Sequence, residues 1–344
     1  MIFKPMAPAN TFSLSLILTL SLVACGGGGD STAPTSVLPT ITLPIPVSSY
    51  ATGSAELAAY TVLQQARALC DFGVLKQDAR LDAASLNHAR YLNNISFVSG
   101  KSELTHYEEI NTDPFYTGYA PWDRTDFTPL GTDYGTQVAE VLMGTWWDYD
   151  TTNPSLVIPT MEERGSASML SLLNTVYHLS GAMYDGADVG IGAELRTKAT
   201  GATTWHEEFR FGSLNGFQTS RLPIGLGKVV TYPCQGSSNI PPEFEPTSEI
   251  PNPLPSMGIV GPPIYIKVDA GQVLIVKSNS VVSLNGISIP TTVLTASDPY
   301  IEKNEAFVVP TQALDPYTTY RVTLNGTINN VAFNRSFEMS TGAP

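Results

Sequence analysis

Residues 176–195, VYHLSGAMYDGADVGIGAEL, run from the end of a helical pattern into a strand-like segment. The preceding stretch SASMLSLLNTVYH (166–178) predicts a helix because its apolar residues recur at helical spacing. VGIGAEL (189–195) predicts a strand, and the alternating TTWHEEFRFG (203–212) predicts a second one. A helix followed at once by strands indicates that both kinds of element share one core.

Three more segments have helical patterns. The stretch 54–70 begins at Ser54, a residue suited to cap a helix N-terminus, and two others are DARLDAASLNHARYLNNI (78–95) and TQVAEVLMGTWW (136–147). Helices and strands together predict an α+β fold, with a three-layer αβα sandwich as one arrangement.

The N-terminus has the features of an export signal. Its apolar run FSLSLILTLSLVA (12–24) is shorter than the ~20 residues that a membrane-spanning helix needs. The run ends in Leu-Val-Ala-Cys, which resembles a bacterial lipobox and predicts a signal peptide over 1–24 with a lipid on Cys25. An ordinary signal peptide cut nearby, or a membrane anchor, is the alternative. By resemblance to lipoprotein sorting, Gly26 in place of an aspartate favours the outer membrane.

Composition constrains the compartment and the partners. The small, polar and proline residues that follow Cys25 predict a flexible tether over 25–52. The net charge of −13 argues against nucleic-acid binding, because phosphate backbones would repel the chain. Cys70 and Cys234 are candidates for one disulfide in an exported protein, with two buried free thiols as the alternative.

A proline-rich segment, 235–262, predicts a stiff linker or a strap along the edge of the fold. Beyond it, over 263–344, short β-rich segments broken by Gly, Asn, Asp and Pro predict a small β-sandwich. ALDPYTTYRVTL (313–324) resembles the corner motif of bacterial immunoglobulin-like and fibronectin-type modules. The resemblance implies that the Tyr320 hydroxyl bonds to backbone upstream.

Three elements in a fixed order resemble the CAP superfamily (cysteine-rich secretory, antigen 5 and pathogenesis-related-1 proteins) in its bacterial branch. They are LDAASLNHARYLNNISFVSGKSELTHYE (81–108), YGTQVAEVLMG (134–144) and VYHLSGAMYDGADVGIGA (176–193). The resemblance implies a CAP-like αβα domain over 53–234, followed by the immunoglobulin-like sandwich. It also implies a central cleft lined by two histidines and two glutamates.

Carried over by position, His106, Glu140 and His178 match three of the four cleft groups. The fourth has only positional candidates, Glu162 and Glu163. The Gly-Glu-Asn segment of the family is Ala-Glu-Val here, so its asparagine is missing.

Two imidazoles and a carboxylate in one cleft suit a divalent cation, Zn²⁺ best of all, or general acid–base chemistry near neutral pH. The alternative for His106 is that it caps a helix or bonds a buried backbone group. His88, on the apolar face of its helix, is expected to be a core histidine, and His206 a surface or ion-paired residue. Trp122 and the pair at 146–147 form either an aromatic binding wall or ordinary packing.

Three functions follow from these features. The first is a binding module whose cleft takes a lipid, a peptide or cell-wall material. The second is a cleft-based hydrolase, such as a peptidase, that uses His106, Glu140 and His178. The third is a surface adhesion or scaffold protein that acts through its C-terminal domain.

Overall fold

A computed structural model of the protein describes residues 44–100, 104–126 and 134–343. The predicted lipidation site Cys25 lies outside these residues. The described helices are α1 (Ala55–Leu69), α2 (Ala79–Ser99), α3 (Pro121–Asp126), α4 (Met161–Leu172) and α5 (Tyr177–Ala182). The described strands are β1 (Lys76–Gln77), β2 (Val138–Asp150), β3 (Asp188–Ala199), β4 (Thr204–Gly216), β5 (Val230–Tyr232), β6 (Ile264–Lys267), β7 (Leu274–Val276), β8 (Val281–Leu284), β9 (Ile287–Ile289), β10 (Thr291–Leu294), β11 (Glu305–Pro310), β12 (Thr319–Ile328) and β13 (Val331–Ser340). The chain therefore has both helices and mostly antiparallel sheets, as the predicted α+β class requires.

Side-chain caps define where the helices begin. Ser54 accepts a hydrogen bond from the Leu57 amide at the start of α1, as its sequence position predicts. At α4, Thr160 and Glu163 form a reciprocal capping box. The left-handed Gly100 (φ 68°) ends α2.

The first sheet has the strand order β1-β3-β4-β2 and is covered by helices on both faces. On one face α2 packs Leu81 against Val138 and Leu214. On the other face α1, α4 and α5 enclose a larger apolar core that includes Phe209 and Phe211. Successive strand residues point to opposite faces, so the even-numbered residues of β2, β3 and β4 face α2.

Two glycines let α2 approach the sheet. A Cβ atom on Gly190 would lie 2.0 Å from the carbonyl carbon of Leu81, and one on Gly192 would lie 2.1 Å from the amide nitrogen of Leu86. Both contacts are too short for any side chain. The Gly-x-Gly of the VGIG stretch is therefore needed for helix–strand packing.

The predicted helix over 136–147 is wrong, because these residues form most of β2. The first five residues of β2 are all buried, since both faces of the sheet are covered there. A strand buried on both sides loses the alternation of apolar and polar residues, and its apolar run then imitates a helix. The predicted helix over 166–178 is divided in the structure, because α4 ends at Leu172 and α5 begins at Tyr177.

Two more sheets form the C-terminal part, with the strand orders β10-β11-β6-β5 and β13-β12-β8-β9, and β7 pairs with β12. Their facing sides share one apolar cluster that includes Ile266, Val308 and Val322. The Tyr320 hydroxyl accepts a hydrogen bond of 2.7 Å from the Asp315 amide, the upstream backbone contact that the sequence predicts.

The sheet that contains β6 and β11 is also buried on its second face, where it meets the helices of the N-terminal part. Tyr265 stacks on Phe72 with ring centroids 5.8 Å apart, and Phe307 belongs to the same core. A buried ion pair lies at this junction, with Lys267 Nζ 2.9 Å from Glu305 Oε1, and Ser180 donates to the other oxygen of Glu305. The two parts of the chain therefore share a core.

A disulfide and the proline-rich segment also connect the two parts of the chain. Cys70 and Cys234 form the predicted disulfide, with Cα atoms 5.5 Å apart. The segment 235–262 packs along the fold and buries Phe244, Leu254 and Val260. The end of the predicted tether also packs, because the Tyr50 hydroxyl donates to Asp82. Within the described ranges, no helix combines the length and apolar character needed to cross a bilayer.

Candidate functional site

His106 lies in the loop after α2, with a side chain that is 15% exposed. Its Nδ1 donates to Oε2 of Glu140 across 2.9 Å. Glu140 is at the start of β2, on the sheet face turned toward α2, and its side chain is 1% exposed. The structure thus brings together two of the candidate residues, which are 34 positions apart in sequence.

Arg124 of α3 fixes both members of this pair. Its Nη2 donates to Glu140 Oε1 at 2.5 Å, and its Nη1 donates to the backbone carbonyl of His106 at 2.9 Å. Burial alone would raise the pKa of Glu140, but the Arg124 guanidinium outweighs it and holds that pKa well below its usual range. Glu140 is therefore an ionised carboxylate at neutral pH.

The network continues inward to two fully buried side chains, Glu108 and His88. His88 Nδ1 donates to Glu108 Oε1 at 2.9 Å, and its Nε2 lies 2.9 Å from the Thr105 carbonyl. The second oxygen of Glu108 accepts from the Thr117 amide. Both ring nitrogens of His88 face acceptors, so both hydrogen bonds form only in the doubly protonated imidazolium. His88 is buried as expected, but it serves a charged network rather than an apolar core.

Charge balance explains why this buried network is tolerated. Two carboxylates, Glu108 and Glu140, face two cations, Arg124 and the His88 imidazolium. Buried charges are stable only when they are paired and hydrogen-bonded. With the charges balanced, His106 has no need to carry a proton.

The protonation state of His106 follows from its surroundings. Burial lowers its pKa to about 4, against the opposing effect of the hydrogen bond to Glu140. The ring is therefore neutral at pH 7. Because Nδ1 donates to a carboxylate, the lone pair of the ring belongs to Nε2.

His178 forms the second pair, in the first turn of α5. Its Nδ1 lies 2.8 Å from Glu249 Oε1, which comes from the proline-rich segment. The buried carboxylate of Glu249 also accepts from the amides of Val176, Tyr177 and His178 at 2.7–3.1 Å. Burial would raise the pKa of Glu249, but the bond to His178 and these amides lower it, so Nδ1 of His178 is again the donor.

The structure thus gives two histidines the same hydrogen-bond pattern, each with Nδ1 bound to a buried glutamate. The two rings interact electrostatically, so a proton on His178 would lower the pKa of His106. Glu249, rather than Glu162 or Glu163, is the second glutamate brought to this pair of histidines. Glu162 and Glu163 lie exposed in the first turn of α4, where Glu163 caps the helix.

Sequence reasoning did not identify Arg124, Glu108 or Glu249 as members of the site. Glu108 stands two residues after His106 in the LTHYEEI stretch (104–110), so it was the easiest of the three to predict from the sequence. Glu249 lies 71 positions from His178, in a segment with no helical or strand pattern, and only the packing of that segment reveals it.

The remaining histidine, His206, is ion-paired as expected, with Nδ1 2.8 Å from Asp148 and Nε2 3.1 Å from Glu208. In the part of the chain that the structure describes, no group of three or more His, Cys, Asp or Glu side chains has a metal-binding arrangement. No protein-family model matches the sequence, and no curated protein matches it at a significant level.

Proposed function

We propose that this protein is a lipid-anchored bacterial envelope protein whose CAP-like domain binds a ligand in a cleft beside His106 and His178. The observation that carries the proposal is the pair of matched contacts, His106 to Glu140 at 2.9 Å and His178 to Glu249 at 2.8 Å. Oriented, carboxylate-backed imidazoles are costly to build into a fold, because each needs a buried charge beside it. Such histidine–carboxylate pairs are typical of ligand-binding and metal-binding sites.

The fold assignment behind this proposal has two supports. Helices pack on both faces of a mostly antiparallel sheet, as a three-layer αβα sandwich of the CAP type requires. In the C-terminal part, two facing sheets and the Tyr320 corner contact support an immunoglobulin-like sandwich. Fold alone does not define a function, so the site carries the argument.

The chemistry of the site suits a lipid, peptide or cell-wall ligand that offers hydrogen-bond donors to two Nε2 atoms. It also fits a divalent metal, Zn²⁺ best of all, held by Nε2 of His106 and of His178. A carboxylate on the other ring nitrogen is the usual partner of a metal-binding histidine, since it fixes the tautomer and raises ligand basicity. Two protein ligands would leave the other coordination positions to water or to the bound molecule, and there the metal would act as a Lewis acid.

The neutral state of His106 favours a second candidate, a cleft-based hydrolase. A general base needs a lone pair at working pH and an orienting partner, and His106 has both through Glu140. His178 with Glu249 would then supply the second acid–base group. A hydrolase predicts that Glu140→Gln lowers turnover of a peptide or ester substrate more than its affinity.

Two features support attachment to the cell envelope, namely the predicted lipid on Cys25 and the disulfide between Cys70 and Cys234. The Cys70–Cys234 disulfide is consistent with an oxidising compartment such as the periplasm. Lipid on Cys25 would anchor the chain to the membrane, on the outer membrane if Gly26 acts as a sorting signal. If Cys25→Ser leaves the protein membrane-bound and normally processed, the lipid anchor is refuted.

The cleft is tested by calorimetric titration of the purified chain with Zn²⁺, Mg²⁺ and Ca²⁺. We expect Zn²⁺ to bind with micromolar or tighter affinity, and we expect His106→Ala and His178→Ala each to abolish that binding. His206→Gln is the matched control, because that histidine lies outside the proposed cleft. Zn²⁺ affinity unchanged in both cleft variants would remove the metal from the proposal and leave the metal-free ligand site.

A further inference from the structure

A second pocket lies on the α2 side of the first sheet, toward the C-terminal end of α2. It has a volume of about 360 Å³ and is lined by Ser96, Phe97, Trp146, Lys198, His206 and Glu208. Strand register brings the sheet residues together, because Trp146 pairs with Glu208, and His206 pairs with Lys198. His106 and Glu140 belong to the opposite end of the same sheet face.

The floor of the pocket is a rigid set of hydrogen bonds around Glu208. This carboxylate accepts from Ser96 Oγ at 2.6 Å, from His206 Nε2 at 3.1 Å and from Arg210 Nη2 at 2.8 Å. The other ring nitrogen of His206 donates to Asp148. Because both ring nitrogens face carboxylates, His206 is an imidazolium, and these bonds raise its pKa against the opposing effect of burial.

The pocket is locally positive although the protein has a net charge of −13. His206 and Arg210 are already paired with Glu208 and Asp148. Lys198 adds a further cation and has no ion-pair partner within 4.0 Å among the described residues. Another cation, Arg196, stacks over the Phe97 ring with its guanidinium carbon 5.0 Å from the centroid. Cations exceed carboxylates here, which favours an anionic ligand.

Trp146 supplies a flat apolar surface above this floor. Its side chain is 61% exposed, and its ring centroid lies 6.2 Å from that of His206. A tryptophan that is open to solvent presents a π face for stacking and an N–H for hydrogen bonding. A sugar ring matches this surface, because it has an apolar C–H face and polar hydroxyls at its rim.

We propose that this pocket binds an acidic saccharide, with one ring stacked on Trp146 and an acidic group paired with Lys198. The volume, at the lower end of ligand pockets, suits one or two sugar residues. Hydroxyl groups of the sugar donate to the exposed Asp148 carboxylate at the rim. This site is separate from the cleft of His106 and His178, so either one functions without the other.

The test is calorimetric titration of the full chain with tetragalacturonate as the acidic probe and with the tetramer of N-acetylglucosamine as the neutral one. We expect tetragalacturonate to bind more tightly than the neutral tetramer. Trp146→Ala should weaken that binding by about tenfold, since an exposed stacking surface is lost. Lys198→Gln should weaken it by about fivefold and reduce its dependence on salt.

Two control variants show whether a loss of affinity is specific to this pocket. Trp147→Phe alters a neighbouring tryptophan on the opposite face of β2, where its indole N–H donates to Glu207, and should leave affinity unchanged. His106→Ala should also leave it unchanged, which separates this site from the proposed cleft. Binding of neither tetramer would overturn the proposal, as would full affinity in Trp146→Ala. Equal affinity for both tetramers would overturn the acidic specificity.

Discussion

The two histidine–glutamate pairs reach the same chemical state by different means. Glu140 is held ionised by one guanidinium, that of Arg124, inside a network of four buried charges. Glu249 is held by three backbone amides at the start of α5 and by His178 itself. The ionised state of the first pair therefore depends on the charge of one nearby side chain, Arg124. The second pair depends on how the proline-rich segment packs against the helices.

This difference predicts how each pair fails. Removal of one charge from a balanced buried network leaves another charge buried without a partner, which strongly lowers the free energy of unfolding. Removal of charge from Glu249 leaves a neutral side chain that still accepts from amides, which costs less. Loss of a partner should therefore damage the Glu140 pair more than the Glu249 pair.

Arg124→Met tests the pair that is expected to be more sensitive, that of His106 and Glu140. The change preserves volume but leaves Glu140 and Glu108 without their guanidinium, so the free energy of unfolding should fall by about 3–5 kcal/mol. Denaturant unfolding monitored by circular dichroism measures it. The control is Arg321→Met, which removes an exposed ion pair with Glu338 and should cost at most about 1 kcal/mol. Equal losses in the two variants would contradict the balanced network.

Acid should destabilise the protein through His106. Its pKa falls from 6.5 in the unfolded chain to about 4 in the fold, so between these values the unfolded state binds more protons. The free energy of unfolding should therefore decrease as pH falls from 6.5 to 4, by about 3 kcal/mol in total for this group. Glu140, with its depressed pKa, adds a further loss below pH 4.5.

His106→Asn isolates this effect, because the asparagine amide keeps a donor toward Glu140 and does not titrate. The variant should lose less stability than the wild type between pH 6.5 and 4. Denaturant midpoints at half-unit pH steps give the difference, in which groups common to both proteins, His206 among them, cancel. Parallel pH profiles for the two proteins would show that His106 is not held neutral by the fold.

Glu249→Gln tests the less sensitive pair. It keeps the shape and one amide-facing oxygen but removes the charge beside His178, so we expect a loss of about 1–2 kcal/mol. Glu140→Gln, measured in parallel, should cost more, because it leaves Arg124 underpaired. A larger loss from Glu249→Gln than from Glu140→Gln would reverse the comparison drawn here.

Local signals predicted α1, α2 and parts of α4 and α5, together with β3 and β4, but not α3. Ser54 before an apolar helical stretch gave α1, and alternation over 203–212 gave β4. The failure at 136–147 has a physical cause, because a strand covered by helices on both faces carries no alternation to detect. The junction of the helices with the sheet of β6 and β11 was equally hidden, since it depends on packing between segments far apart in sequence.

The site was accessible from sequence only where residue type is informative. Histidines are rare in this chain, so His106 and His178 stand out, and the order of segments pointed to Glu140. Glu249 is one acidic residue among 31, and Arg124 one basic residue among 18, so nothing in their local sequence distinguishes them. Their roles arise from tertiary contacts, which a pattern of spacing does not contain.

The measurement that tests the central claim most directly is ¹⁵N NMR of the histidine side chains at pH 7. For His106 and His178 the structure predicts an Nδ1 that donates to glutamate, and for His106 it also predicts an unprotonated Nε2 and a ring that is still neutral at pH 5.5. His88 should appear as a doubly protonated ring in the same spectrum, which provides an internal contrast. A proton on Nε2 of His106 at pH 7 would contradict the account, because that ring would then offer no lone pair to a ligand or metal.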